Sequence, residues 1–416
     1  MTKVRRIRDL VHGFIYLDKQ ECEIIDHPVF QRLRRIKQLS LTDMVYPGAS
    51  HTRFEHSIGV MQMATDMFDS IVAKRKQFLE DELFLKESGI QIYRKIVRLA
   101  ALLHDIGHAP FSHSGEDLMP LLPPEHNNYV KGEFKRYKHE EYSIEIIKNI
   151  FKEIIEEHPV NDNYRIRVDD VTALLGDTTV RIKATSLLWK ELISGQIDAD
   201  RADYLLRDSL HLGVNYGIYD KNRLVSCITV GKTETGALVL AIEEGGWHIA
   251  ESLVIARYQM FTQVYFHKVR RIYDYHISCA TKEILNKIKT NNGCFPYPKD
   301  ICEYLKFDDW AIYAALKKGL GGKHGNIILK RKHWKCLYQT QLVPTEAEEK
   351  EIDRLEKTYN DTEYYLDDKI STSWYNLDKD IFIYQEDKIQ PLSEKSSIVK
   401  SMIEKPCLQR FYVEQI

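Results

Sequence analysis

Apolar residues return every three to four positions through most of the chain, and the rhythm breaks where histidine and aspartate gather. In residues 54–71, Ile58, Met61, Ala64, Met67 and Phe68 fall on one side of a predicted helix. The stretch DHPVFQRLRRIKQL at 26–39 reads as a single capped helix. Asp26 would cap it, Pro28 suits its first turn, and Phe30, Leu33, Ile36 and Leu39 recur at a spacing of three. Its outer face would carry Gln31, Arg32, Arg34, Arg35 and Lys37. A polar segment at 74–87 leads to a helix ending in LLHD. Further helical patterns lie at 139–157, 168–175, 182–193, 198–211 and 247–289.

Other stretches lack this period. Val4, Ile7 and the apolar run 14–17 flank His12-Gly13 as a small hairpin or extended arm would. Residues 227–243, with KTETG between two apolar runs, predict a second hairpin. The polar, Pro- and Asn-containing segment 120–138 is long enough for a binding loop or lid. After residue 320, GNIILKRKHWKCLYQT and KDIFIYQEDKI read as strands, separated by a charged helix at 345–357. The fold class predicted is mainly α: a helical core with an N-terminal arm over 1–320, and a small α+β lobe over 321–416.

Composition narrows the class. Hydrophobic residues make up 44% and charged residues 29%, ordinary for a soluble globular enzyme. Lysine and arginine total 59 against 61 acidic residues, so no global charge points to nucleic acid or a membrane. No apolar run is long enough for a signal peptide or a membrane span, which predicts a cytoplasmic protein. The seven cysteines contain no CxxC pair and read as reduced thiols.

The chemistry concentrates in AALLHDIGHAPFSH at 100–113. Leu102 and Leu103 would end a buried helix, so His104 and Asp105 emerge near a core, where unpaired polar groups cost roughly 2–7 kcal/mol. A metal ion is a natural partner, because imidazole and carboxylate together suit Zn, Fe, Mn or Ni. His56, in SHTRFEHSIGV, and Asp200, in GQIDADRADYLLRDSLHLG, would complete a His, His, Asp, Asp set. Spacing alone leaves their convergence open.

The H…HD…D order within ASHTRFEHSIGV, LLHDIGHAPFSH and DADRADYLLRD resembles the HD-domain metal phosphohydrolases. Within these it is similar to the deoxynucleoside triphosphate triphosphohydrolases, both bacterial forms and the vertebrate sterile-alpha-motif/HD enzyme. The likeness runs from about residue 4 to 271, and this chain has no sterile-alpha-motif domain. The resemblance implies an HD-domain helical core in which His56, His104, Asp105 and Asp200 bind a divalent metal: Mn, Mg, Fe, Zn or Ni. It makes His113 the catalytic acid, places His108 and His139 near the phosphates, and makes Glu140 an acidic partner of these histidines. Arg53, Arg201 and Arg257 would contact phosphate, with Arg201 standing where the vertebrate enzyme has lysine. Gln38 and Asp208 would bind the sugar 3′-hydroxyl, Leu39 and Tyr265 would pack against C2′, and Tyr204 would neighbour sugar and phosphate.

The same resemblance implies hydrolysis of dNTPs to deoxynucleoside and inorganic triphosphate. It also implies a GTP or dGTP activator bound between subunits by Asp26, Gln31 and Arg34, and a homo-oligomer, a tetramer rather than a dimer. Arg5 and Arg6 depart from the family's Lys-Val pair. The alternatives are an HD phosphohydrolase of another nucleotide, and a non-catalytic nucleotide- or nucleic-acid-binding regulator.

Overall fold

The computed structural model describes residues 5–181, 183–370, 375, 380–402 and 407–414. The N-terminal arm is a hairpin of β1 (Arg5–Asp9) and β2 (Gly13–Leu17), with Ile7 opposite Ile15 and Arg8 opposite Phe14. Alternation turns Ile15 and Leu17 into the core and leaves Phe14 and Tyr16 exposed.

Helix α1 (Lys19–Asp26) follows, closed at its start by the Asp18–Glu21 capping box. Here the single capped helix expected over 26–39 gives way to a different path. Asp26 is the last residue of α1, not a cap, and the His27 ring accepts the Val29 N–H instead. A four-residue helix Pro28–Gln31 passes into a 3₁₀ turn Arg32–Arg35, and Lys37 then bridges to Thr52. The spacing of three explains the difference, since it is the period of a 3₁₀ turn. Phe30, Leu33 and Ile36 are nonetheless fully buried.

Helix α2 (Arg53–Leu83) buries the predicted stripe of Ile58, Met61, Ala64, Met67 and Phe68. It continues through the polar segment beyond residue 74, with a kink at Arg75, because lysine, glutamate and glutamine are good helix formers on an exposed face. Helix α3 (Glu87–Leu103) packs against it, and Leu99 to Leu103 are wholly buried. Residues 120–138 form the irregular loop expected, apart from one bridge between Leu121 and Arg136. Helix α4 (His139–Asn149) and α5 (Ala199–Leu212) follow, α5 packing on α2.

The helix expected over 247–289 is three pieces: α6 (Trp247–Met260), a π-helical turn Phe261–Tyr265, and α7 (Lys268–Lys287). The π turn carries Tyr265 to a buried partner, described below.

In the C-terminal part, GNIILK is not a strand but helix α8 (Gly322–Lys330). The apolar run Ile327-Ile328-Leu329 is too short to show a period, and Ile328 packs into a cluster with Ile277, Ala280, Ile312 and Leu316. Strand β5 (Lys335–Gln339) begins only after it, and the charged segment is helix α9 (Glu346–Thr358). The second predicted hairpin is β3 (Ile228–Lys232) with β4 (Leu238–Glu243). Strand β6 (Tyr364–Ile370) precedes a tight pair, β7 (Phe382–Gln385) and β8 (Lys388–Pro391), and β9 (Leu408–Val413) comes last. The sheets run β3-β4-β7-β8, with β4 and β7 parallel, and β5-β9-β6. Residues before and after 320 thus share one sheet, and Ile381 and Ile383 join the same apolar cluster as Ile228 and Val230. The architecture is mainly helical, with small sheets.

Candidate active site

Three helix ends meet. His56 sits in the first turn of α2, His104 and Asp105 follow the last residue of α3, and Asp200 lies in the first turn of α5. The ligand atoms of His56, His104 and Asp200 all lie within 4.8 Å of one another. His56 Nε2 is 3.0 Å from Asp200 Oδ1 and 3.6 Å from Asp105 Oδ2, and His104 Nε2 is 3.3 Å from Asp105 Oδ1.

The outer nitrogens are committed elsewhere. His104 Nδ1 donates to the Ala101 carbonyl at 2.8 Å, and His56 Nδ1 to Asp203 Oδ2 at 2.8 Å. Each ring therefore turns Nε2 toward the shared centre, and buried His104 Nε2 has no hydrogen-bond partner. Two imidazole and two carboxylate donors, with one orphaned nitrogen among them, suit a divalent cation. Burial disfavours charge on His56, but Asp200 and Asp203 outweigh it and raise its pKa to about 10 without a cation. Burial likewise opposes ionisation of Asp105, yet Arg53, His104 and His108 hold its carboxyl well below the usual range. Arg53 reaches Asp105 through its guanidinium and Ser112 Oγ through Nε at 3.0 Å.

The turn after Asp105 is set by close approach. A Cβ on Gly107 would stand 2.3 Å from the Ser143 nitrogen, so only glycine lets the HDIGH segment lie against α4. Phe111 and Ser112 are both in the left-handed region, at φ 59° and 56°. Asp309 accepts the Phe111 N–H at 2.7 Å and the Lys37 carbonyl accepts from Ser112 Oγ at 2.6 Å, which holds this strained pair.

That turn presents a second cluster. His108 is wholly buried, stacks on His139 with centroids 3.9 Å apart, and meets His113 edge-on at 5.0 Å. Burial, then the positive Arg53 and His139, keep His108 well below the ordinary imidazole value and so neutral. Against burial, Glu140, Glu116 and Asp105 lift His139 to about 9. Glu116 was not anticipated, and it accepts from His113 Nδ1 at 3.1 Å and His139 Nδ1 at 2.5 Å. Glu140 is farther, with Oε2 3.5 Å from His139 Nδ1. Asp203 was also missed. The signals in the sequence were a glutamate three residues after His113 and an aspartate three after Asp200, one helical turn in each case.

Beside His113 opens a cavity of about 590 Å³ lined by Gln38, Leu39, Arg53, Tyr204, Asp208 and Tyr265, among others. Tyr265 Oη donates to Asp208 Oδ2 at 2.6 Å, and His51 Nε2 contacts Asp208 Oδ1 at 2.7 Å. Leu39 and Tyr265 are buried, and Gln38 Oε1 is buried with no hydrogen-bond partner. Arg201 and Arg257 both act on Tyr204, whose hydroxyl burial pushes up to about 12. Arg201 also donates to the Gly195 carbonyl.

Among the expected activator residues, Gln31 reaches back toward Asp26, its Nε2 donating to the neighbouring Ile25 carbonyl at 2.7 Å. Gln31 and Arg34 come together, Arg34 Nε donating to Gln31 Oε1 at 2.9 Å while its guanidinium lies 3.5 Å from the Phe54 ring. Asp26 is exposed on α1 and pairs with Arg5 at 2.5 Å.

A helical core with an H…HD…D centre at converging helix ends defines an HD-domain phosphohydrolase fold. The HD domain profile matches residues 53–208 and the HD associated region profile residues 219–405, and the chain belongs to the HD-domain family. An uncharacterized protein of Methanocaldococcus jannaschii is 32% identical over 98% of this chain and 77% of its own length. The deoxynucleoside triphosphate triphosphohydrolase SAMHD1 homolog of Dictyostelium discoideum is 32% identical over 73% of this chain. The match spans about half, 53%, of that longer relative. A solved phosphohydrolase structure from Bacteroides thetaiotaomicron superposes with a TM-score of 0.73 at 26% identity, covering 100% of both chains. Among the described residues, no helix is long and apolar enough to cross a membrane.

Proposed function

We propose that this protein hydrolyses dNTPs, releasing deoxynucleoside and inorganic triphosphate. The observation that carries the reading is one cavity bearing both the exposed His113 and a buried Leu39–Tyr265 wall beside Gln38 and Asp208. A cation held by His56, His104, Asp105 and Asp200 would supply positive charge to a phosphoryl oxygen during in-line displacement.

This chain's own groups account for the rest. Glu116 fixes His113 through Nδ1, leaving Nε2 to hand a proton to the departing 5′ oxygen. His139, cationic beside Glu116, and Arg53 offer positive charge to phosphate, while neutral His108 stacks on His139. Arg201 and Arg257, both close enough to Tyr204 to influence its hydroxyl, would add positive charge for the phosphates. Asp208, already held by His51 and Tyr265, retains lone pairs to accept a 3′-hydroxyl, and Gln38 Oε1 is a second acceptor. Leu39 and the Tyr265 ring leave no polar partner for a 2′-hydroxyl, which disfavours ribonucleotides.

The Dictyostelium relative is named a deoxynucleoside triphosphate triphosphohydrolase, which supports this assignment. The reading includes a cytoplasmic homo-tetramer activated by GTP or dGTP, whose guanine edges Gln31, Arg34 and Asp26 would address across a subunit interface. Chromatography of products from each dNTP with Mn²⁺ or Mg²⁺, with matched NTP and dNMP controls, tests it. Deoxynucleoside with triphosphate supports the reading. Turnover confined to monophosphates, or equal turnover of ribonucleotides, would refute it.

A further inference from the structure

Behind His56, on the side away from Asp200, the N-terminal hairpin reaches into the core. Asp203 Oδ2 faces His56 Nδ1 at 2.8 Å, and its Oδ1 faces His12 Nε2 at 2.8 Å. Arg207 clasps the same carboxylate with Nε at 2.8 Å and Nη2 at 2.9 Å, and reaches Asp9 Oδ2 with Nη1 at 2.9 Å. The other Asp9 oxygen accepts the N–H groups of Val11 and His12 at 2.8 and 2.9 Å, which closes the hairpin turn. The side chains of His12, Asp203, Arg207 and His56 are each 1% exposed or less.

Proton positions follow from the partners. A carboxylate only accepts, so His12 must donate from Nε2 and His56 from Nδ1. The far nitrogen of His12 faces Lys221 Nζ at 3.4 Å, a donor, which assigns the same tautomer independently. With Nδ1 spent on Asp203, His56 has only Nε2 for a cation. The orientation of that ring therefore depends on a residue of the arm, which lies outside the segment 53–208 matched by the HD domain profile.

We infer that His12 is a positioning residue of the metal centre: acting through Asp203, the hairpin turn orients His56 for cation binding. The inference rests on the reading of His56 as a ligand, and the test separates the two. Metal-stripped full-length protein is titrated with Mn²⁺ by calorimetry, as wild type, His12→Ala and His12→Gln. His12→Ala is expected to weaken Mn²⁺ binding about tenfold, the low end for losing an outer partner of a ligand. His12→Gln, whose amide can donate to the same Asp203 oxygen, should recover most of that loss. Wild-type affinity in folded His12→Ala overturns the inference, as does a glutamine variant as weak as alanine. If wild type itself binds no Mn²⁺, the reading of the centre fails instead. Nitrogen-15 histidine spectra of zinc-loaded wild type decide the matter even if the alanine variant does not fold. They should show His12 protonated on Nε2 and His56 on Nδ1, and the opposite tautomer at His12 overturns the inference.

Discussion

Gly59 offers a case where helix propensity and packing make opposite predictions. It lies within α2, one turn after His56, where Gly→Ala ordinarily stabilises by about 1 kcal/mol. Here, however, a Cβ would stand 2.2 Å from Asp203 Oδ1 and 2.2 Å from Arg207 Nη2. Both belong to a fully buried, doubly bonded pair, so the methyl group can enter only by parting it. Breaking a buried pair costs about 3–5 kcal/mol, which leaves Gly59→Ala about 2–4 kcal/mol less stable than wild type. The loss should also reach His56 and reduce Mn²⁺ affinity. Gly89→Ala is the matched control, because its Cβ meets only the flexible Leu85 Cδ2 at 3.2 Å, and the propensity gain should prevail. Urea unfolding of the metal-free variants, followed by circular dichroism, measures both. Equal or greater stability in Gly59→Ala would refute the argument.

Three further outcomes follow from particular groups. Burial raises the Glu21 pKa, but Arg98 and Lys95 outweigh it and bring it to about 2 against an ordinary 4.5. A depressed carboxyl stabilises the fold above 4.5 and loses that contribution as pH falls toward 2, about 3 kcal/mol in all. Wild type should therefore lose more urea stability between pH 6 and pH 3 than Glu21→Gln, and equal losses would contradict the pairing. His113→Ala should lower kcat by about 10²–10⁴ with little change in dNTP affinity, checked by single-turnover rates and equilibrium binding. Arg34→Ala should blunt both GTP-stimulated rate and GTP-stimulated assembly at unchanged metal content. Light scattering across a GTP titration reads this, and mass and rate that stay flat in wild type would remove the activator role.

Much of the helical core was legible because its period is local. The stripe from Ile58 to Phe68 and the buried end of α3 at Leu102-Leu103 follow from spacing alone. The segment after Asp26 was misread because a spacing of three fits a 3₁₀ turn as well as a helix face. GNIILK was misread because a three-residue apolar run, Ile327 to Leu329, is too short to show a period, and its partners on α7 lie far away in sequence. At the site, the metal-type donors stood out by residue type and motif order. Glu116, Asp203 and His12 did not, because a carboxylate or imidazole at a helix turn reveals its partner only once tertiary packing supplies it. Arg53 shows the same limit from the other side: its phosphate role was inferred from resemblance, while its pairing with Asp105 required the fold.

The central claim is that water attacks the α-phosphorus and displaces the deoxynucleoside 5′ oxygen, so that inorganic triphosphate carries the new P–O bond. Turnover of dGTP in ¹⁸O-labelled water, with products resolved by mass spectrometry, tests it directly. The account predicts one labelled oxygen in the released triphosphate and none in the deoxyguanosine. Label in the deoxyguanosine 5′-hydroxyl, or label in orthophosphate released alongside dGDP, would contradict it.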